Sequence, residues 1–424
     1  MGMKCVRCGT DNNLRDRTNN QGRCKNCNHP FVFEPSAVTD YRLMFTDPFF
    51  AKAINDISDQ NRLYFTPKQL FYLLDKRFSA KTYPSGAVGC SCLAIFILLF
   101  GWVTFREYNI PVLAIIFIIY IFNSITNQNA TIKFRRSGAR LLQITGLIVL
   151  IYGICFSLIL NSFSLFLICV ILGMLSIYLG YRQLNRVLYI GQIFLISQSQ
   201  FQEWTTRWAA INDNPKMLPS PRTETAFSTI PNEISAYSFD RVVVCDNAAI
   251  AQMLIANNFH FENSCAVLSI TGYPESIFST VLEMLRRNLD LKVYALHDAS
   301  PRGVSLVHNL RTSADWFLNS NAVIYDLGLL PRQIFSSGGA FIINSAESAQ
   351  EAKQLPEEVR RDLTSEELKW LDAGNFVELE SFSPQRIIRV ANQGIAKSQA
   401  PDSGDSLVVI DGGADSVYVV ESFG

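Results

Sequence analysis

Apolar and polar positions alternate with a different rhythm in each part of this chain, and the sharpest change comes between Gly86 and Tyr181. There, apolar and aromatic residues dominate, and charged side chains gather only between the runs. Four stretches, 86–105, 109–126, 141–160 and 162–181, contain no Asp, Glu, Lys, Arg or His. Each is long enough for a helix to cross a hydrocarbon layer of ~30 Å. They predict a four-helix α-helical transmembrane domain over 86–186, with Asn161 turning the last two helices into an antiparallel hairpin. Gly146, Gly153, Gly173 and Gly180 are expected to let these helices pack closely, and they would also suit an oligomerising anchor.

Before this block, Thr66-Pro67-Lys68-Gln69 followed by Leu70, Phe71, Leu73 and Leu74 has the form of a helix start. A hydroxyl cap, a proline at the first position and a returning glutamine stand ahead of an apolar face. It belongs to a cytosolic helical connector, 36–85, in which Phe45, Phe49, Phe50 and Tyr64 are expected to pack between the N-terminal region and the membrane domain. After the block, in 187–235, Phe201, Trp204, Trp208 and Ile211 recur at helical spacing. That amphipathic helix would lie on the bilayer or pack on the next domain. Pro215, Pro219, Pro221 and Pro231 then mark an extended linker.

From 236 to 345 the rhythm becomes that of an α/β domain. Arg241 to Val244, Ala266 to Ile270, Lys292 to Leu296 and Ala322 to Tyr325 are short β-branched runs. Between them Ala248 to Ala256, Ser276 to Asn288 and Val304 to Thr312 have helical spacing, which predicts a parallel sheet covered on both faces. The remainder, 346–424, adds a capped helix at Thr364-Ser365-Glu366-Glu367 and a hairpin over Leu407 to Ile410 and Val417 to Val420.

Charge adds an orientation. Lys76, Arg77 and Lys81 precede the first apolar run, Lys133, Arg135, Arg136 and Arg140 separate the second and third, and Arg182 and Arg186 follow the fourth. The positive residues mark the side shared by both termini, which is therefore expected to be cytoplasmic. Over the whole chain 37 basic residues balance 37 acidic ones, so no global field draws the protein onto nucleic acid. The spans carry no ionisable residue, which argues against transport. A basic start followed by an apolar run is missing, so no cleaved secretory signal is expected.

The ten cysteines are not laid out as a disulfide framework. Cys5-Val6-Arg7-Cys8 and Cys24-Lys25-Asn26-Cys27 form a C-x2-C-x15-C-x2-C pattern, which directs four thiolates at one ion. A zinc ribbon over 1–35 is expected, with His29 a bystander because four sulfurs complete the site. Its default role is protein interaction.

In parallel sheets, ligands gather at the carboxyl ends of strands. Here those ends read Cys245-Asp246, Thr271-Gly272-Tyr273-Pro274 and His297-Asp298-Ala299-Ser300-Pro301-Arg302-Gly303. By spacing alone Asp246 and Asp298 would cap helices or share a magnesium ion. His297 is expected to be a packed, hydrogen-bonded residue, and Arg302 is expected to serve loop geometry, with a phosphate contact as the alternative. These segments, in this order, resemble the Toprim domain of type IIB topoisomerase A subunits, over Arg241 to about Arg332. The resemblance implies a catalytic acid or base at Asp246, the first metal aspartate at Asp298, and Ser300 in place of the second. A hydroxyl brings neither the charge nor the magnesium affinity of a carboxylate.

The expected whole is a multi-domain, multi-pass membrane protein with structural zinc and a catalytically degenerate Toprim-like domain in the cytoplasm, recognising a protein or a nucleotide or nucleic-acid ligand. The competing expectation is a membrane-tethered, magnesium-dependent phosphotransfer enzyme or nuclease using Asp246 and Asp298.

Overall fold

The computed structural model describes residues 2–35, 40–82, 110–126, 132–161, 163–186, 189, 191–212, 216–221, 240–288, 290–318, 320–337, 340–398, 407–410 and 417–420. They divide into two units, one joining Met1–Asp75, Ile196–Phe341 and Ser345–Gly424, the other Lys76–Leu195 with Ile342–Asn344.

The first unit begins with a small antiparallel ladder, β1 (Met3–Lys4) and β2 (Asp11–Asn12). It leads into α1 (Leu14–Asn19), where Asn13 and Asp16 exchange side-chain and backbone bonds as a capping box. So small a module has little apolar interior, and polar contacts fix its shape. Buried Arg17 grips Glu34 through two hydrogen bonds of 2.8 and 3.0 Å. Asp47, at the start of α2 (Asp47–Ile57), accepts the Val32 and Phe33 N–H groups at 3.0 and 2.9 Å. The next helix, α3 (Pro67–Thr82), starts with the expected box: Gln69 Oε1 accepts the Thr66 N–H at 2.9 Å and Thr66 Oγ1 accepts the Gln69 N–H at 3.2 Å.

The aromatic face expected near residue 200 forms on the helix Gln198–Ile211. Its aromatic rings meet a third surface, formed by residues earlier in the chain. Trp204 meets Phe45 at 4.8 Å, Trp208 meets Phe50 at 5.0 Å and Phe33 at 6.1 Å, and Phe201 meets Phe71 at 5.3 Å between ring centroids. The helix therefore closes over the ribbon and connector. Such aromatic pairs add to the effect of burying large apolar area.

The sheet forms where β-branched runs were found: β3 (Arg241–Cys245), β4 (Ala266–Ser269), β5 (Lys292–Leu296) and β6 (Val323–Asp326). The spatial order is β4-β3-β5-β6, all parallel, and the hairpin 407–410 and 417–420 extends it, with Val417–Val420 parallel to β6. Val242, Val244, Val293 and Ala295 pack with Leu285 and Leu310 from covering helices, while Val243, Tyr294 and Leu296 are buried on the opposite face. Full burial on both sides explains why these strands carry unbroken apolar runs rather than alternation.

The second unit contains α4 (Ile110–Thr126), α5 (Ile132–Leu160) and α6 (Phe163–Arg186). Asn161, with φ of 49°, makes the tight turn between α5 and α6. A Cβ on Gly146 would lie 2.7 Å from the Gly173 carbonyl oxygen, and one on Gly153 would lie 2.2 Å from Cys169 Cβ. These glycines are what lets the two helices touch along their backbones. Ile151, Leu158, Ile171 and Met174 point outward, with Leu158 72% exposed. Among the described residues, two helices are long and apolar enough to cross a membrane, through Phe134–Cys155 and Phe166–Leu184. Helix α4, at 17 residues, is shorter, and the expected span 86–105 lies outside the described residues.

Candidate functional site

Two groups of chemically active side chains stand out in the first unit. The first is the cysteine group of the ribbon. Cys5 follows β1 in a turn closed by the Cys5 N–H to Thr10 oxygen bond at 2.9 Å, with Gly9 at φ of 75°. The second knuckle closes through the Cys24 N–H to the His29 oxygen at 2.8 Å. These turns bring Cys5 Sγ within 3.6 Å of Cys27 Sγ and Cys8 Sγ within 3.6 Å of Cys24 Sγ, and all four sulfurs lie within 4.8 Å of one another. Sulfurs about 3.8 Å apart are what a tetrahedral ion with ~2.3 Å zinc–sulfur bonds requires. The donor set therefore fits a zinc ribbon. Buried Asn12 braces it: Nδ2 donates to the Thr10 oxygen at 2.8 Å and to Cys24 Sγ at 3.5 Å, and Oδ1 accepts the Lys25 N–H at 2.9 Å. Spacing alone did not single out that asparagine.

The second group lies at the carboxyl edge of the sheet. Asp246 immediately follows β3, and its N–H donates to the Leu296 oxygen at the end of β5. Asp298 lies two residues beyond β5, and its N–H donates to Asp246 Oδ2 at 2.7 Å. The two candidate residues thus do come together. Ser300 caps the short helix Pro301–Val304, with Oγ accepting the Gly303 N–H at 3.0 Å. Arg302 is exposed and paired with Glu351.

His297 is fully buried between Asp326 and the Asp298 carbonyl. Nε2 lies 3.0 Å from Asp326 Oδ1 and Nδ1 lies 2.8 Å from the Asp298 oxygen. Both neighbours are acceptors, so both ring nitrogens donate. Burial works against the imidazolium, but the adjacent Asp326 carboxylate outweighs it and raises the pKa to about 9. A Cβ at Gly328 would come within 2.2 Å of the ring, so only glycine fits there.

A later segment completes this edge. Ala299 and Val377 exchange backbone hydrogen bonds of 3.0 and 3.1 Å, which seats Glu378, Leu379 and Glu380 over the strand ends. The Leu379 N–H donates to Asp298 Oδ1 at 2.5 Å. Helix α3 closes over the top. Glu378 accepts from Lys68 Nζ at 2.7 Å and from the Tyr72 hydroxyl at 2.5 Å. Glu380 Oε1 accepts from Thr66 Oγ1 at 2.8 Å, Oε2 accepts from Asn247 Nδ2 at 3.2 Å, and Lys68 Nζ lies 3.7 Å from Oε2. Asp246 Oδ1 is buried with no hydrogen-bond partner among the described residues.

Crowding Asp246, Asp298 and Glu380 at a largely buried edge has the expected electrostatic result. Burial pushes the Asp246 carboxyl up to about 6 and the Asp298 carboxyl well above the usual range, with their mutual repulsion adding to the latter. Burial also raises Glu380. The Lys68 side chain is 44% exposed; partial burial opposes its charge, and Glu378 and Glu380 more than offset it, raising its pKa.

Residues 241–385 match the family model of the topoisomerase 6 A-subunit/Spo11 Toprim domain. The C-terminal domain is thus Toprim-like, and the likeness runs past Arg332 to include Glu378 and Glu380. Lys68 and Tyr72 lie outside the matched residues. No curated protein and no solved structure matches the chain.

A Toprim fold implies magnesium at this edge, and the residues present do not fit it. The second metal aspartate is Ser300, which caps a helix instead. Asp298 Oδ1 and Asp246 Oδ2 are held by backbone N–H groups, and Glu378 is held by an ammonium and a phenol. Among the described residues, the cysteine group is where donor atoms converge as a metal requires.

Proposed function

We propose that this chain is a multi-pass membrane protein that presents a zinc ribbon and a non-catalytic Toprim-like domain, folded together, as a recognition module on the cytoplasmic side. Four spans with both termini on one face follow from the uncharged runs and from the basic residues that flank them. The outward apolar side chains of α5 and α6 support lipid as their surroundings. The ribbon's fixed knuckles support zinc in a structural role.

The observation that carries the non-catalytic reading is that each carboxylate of the sheet edge already has at least one bond within the protein. Phosphoryl transfer on such an edge depends on a metal that stabilises developing charge. With Asp298 and Glu378 held by internal donors, an incoming ion would have to break those bonds. A partner protein or a nucleotide-like ligand would meet a preformed surface instead.

The test is magnesium titration of the detergent-solubilised full-length protein by calorimetry, with the ribbon saturated with zinc. No saturable binding below ~1 mM is expected. Sub-millimolar binding abolished by Asp298→Ala would replace this reading with the metal-dependent phosphotransfer one. Membrane anchoring is tested separately: the protein should stay in the pellet after alkaline carbonate extraction.

A further inference from the structure

The hairpin of α5 and α6 carries a charge imbalance that its packing does not use. Between Lys76 and Leu195 the chain holds ten Lys and Arg residues against one acidic residue, Glu107. The glycine contacts fix the level at which the arginines of the two helices stand. A Cβ on Gly180 would lie 2.8 Å from the Ala139 carbonyl oxygen, and one on Gly146 would lie 2.7 Å from the Gly173 oxygen. The antiparallel helices therefore hold Arg140 level with Arg182, with Arg186 one turn further out. Arg140, Arg182 and Arg186 are exposed, and none of the three has a hydrogen-bond or ion-pair partner among the described residues.

These arginines stand at the heads of two outward apolar stripes. On α5, Arg140 is followed at helical spacing by Ile144, Leu147 and Ile151, each more than half exposed. On α6, Ile171, Leu175 and Tyr178 lead at the same spacing to Arg182 and Arg186. Residues three or four apart share a helix face, so each stripe runs without a break from apolar side chains to a guanidinium. A tyrosine such as Tyr178 suits the boundary between hydrocarbon and headgroups. The guanidinium fork above it matches phosphate oxygens two at a time. An acidic peptide or free phosphate would meet the charges and leave the stripes in water. A phospholipid covers both.

We propose that Arg140, Arg182 and Arg186 form a rim that binds the phosphate headgroups of anionic phospholipids, whose tails lie along the outward stripes of α5 and α6. The proposal rests on the membrane reading and deepens it, because it names the lipid that the anchor selects.

The experiment places full-length, zinc-loaded protein in phosphatidylcholine bilayers with a trace of spin-labelled phosphatidylglycerol or spin-labelled phosphatidylcholine. Paramagnetic resonance reads the fraction of each label whose motion the protein restricts. The wild type should hold phosphatidylglycerol over phosphatidylcholine by at least about fivefold, roughly the effect of one basic residue at an anionic surface. Arg140→Gln/Arg182→Gln/Arg186→Gln should lose that preference while restricting phosphatidylcholine as before. If the triple variant fails to insert, Arg140→Gln and Arg186→Gln replace it, and each should lower the preference. Equal restriction of both lipids by the wild type, or a preference that the variants keep, overturns the rim and leaves the membrane reading intact. Restriction of neither lipid overturns both.

Discussion

The ribbon and the sheet edge of this protein each gather four acidic or thiol ligands of the kind metals prefer, and they use them in opposite ways. In the ribbon, backbone turns and Asn12 position the sulfurs while leaving them facing one another, 3.6 Å apart in two pairs. At the sheet edge, the oxygens face backbone N–H groups, a phenol, a hydroxyl and an ammonium. The lesson is that ligand type and proximity do not make a metal site. What decides is whether the donors already have partners, because an ion must repay every internal bond it displaces.

Stripping the metal should separate the two regions most strongly. Chelation, or Cys24→Ser, should remove on the order of 10 kcal/mol of binding free energy from the ribbon. Trypsin should then cut at Lys4, Arg7 and Lys25, while the sheet remains resistant. Elemental analysis should find one zinc per chain before treatment and none after. A ribbon that keeps its protease resistance without metal would erase the contrast.

A smaller but still large effect is expected beneath the sheet edge, where His297→Ala leaves Asp326 without its charged partner. Breaking so buried a pair should cost about 3–5 kcal/mol in urea unfolding. The pair also sets a pH window. His297 is raised from 6.5 to about 9, so its contribution is complete below pH 6.5 and disappears as pH rises through 9. Asp246, raised from 3.8 to about 6, works in the other direction to an ordinary stabilising carboxylate: its ionisation between those values weakens the fold. Stability of the wild type should therefore fall between pH 7 and 9, and that of His297→Ala should lose this fall.

The smallest of these effects should come from Tyr72→Phe, which removes one donor from Glu378 while leaving Lys68 in place. A hydrogen bond to a charged group contributes about 1.5–3 kcal/mol, and the loss should lie near the low end because the ammonium remains. Equal losses for Tyr72→Phe and His297→Ala would mean that the connector, rather than the buried ion pair, secures the edge.

Much of this architecture can be read locally. The runs of β3 and β5 announce buried parallel strands because both faces exclude water, and the capping boxes at Thr66 and Thr364 are contained in four consecutive residues. The cysteine knuckles are equally local. Asp246, Asp298 and Ser300 can be placed because strand ends fix them. Glu378 and Glu380 could not be placed that way, since they reach Asp298 only through the Ala299–Val377 bridge. Lys68 looked like an ordinary first-turn helix residue, and nothing in its neighbours specifies a partner hundreds of residues away. The aromatic helix shows the same limit. Its stripe of Phe201, Trp204 and Trp208 announces burial, but the covering surface comes from Phe33, Phe45, Phe50 and Phe71, which lie far back in the chain.

The Ile196 N–H donates to Asp75 Oδ1 at 3.3 Å, so the long excursion Lys76–Leu195 leaves the first unit and returns to it at bonded residues, and only Ile342–Asn344 depart from that unit again. Topologically, the segment between those two residues is a loop-out, and its removal costs Ile342 its bond with the Gln192 N–H at 2.7 Å and shortens α3 to its first half. A spliced protein in which a few glycines and serines join Asp75 to Ile196 should dissolve without detergent. It would offer a simple route to crystals of the half that carries the cysteine group.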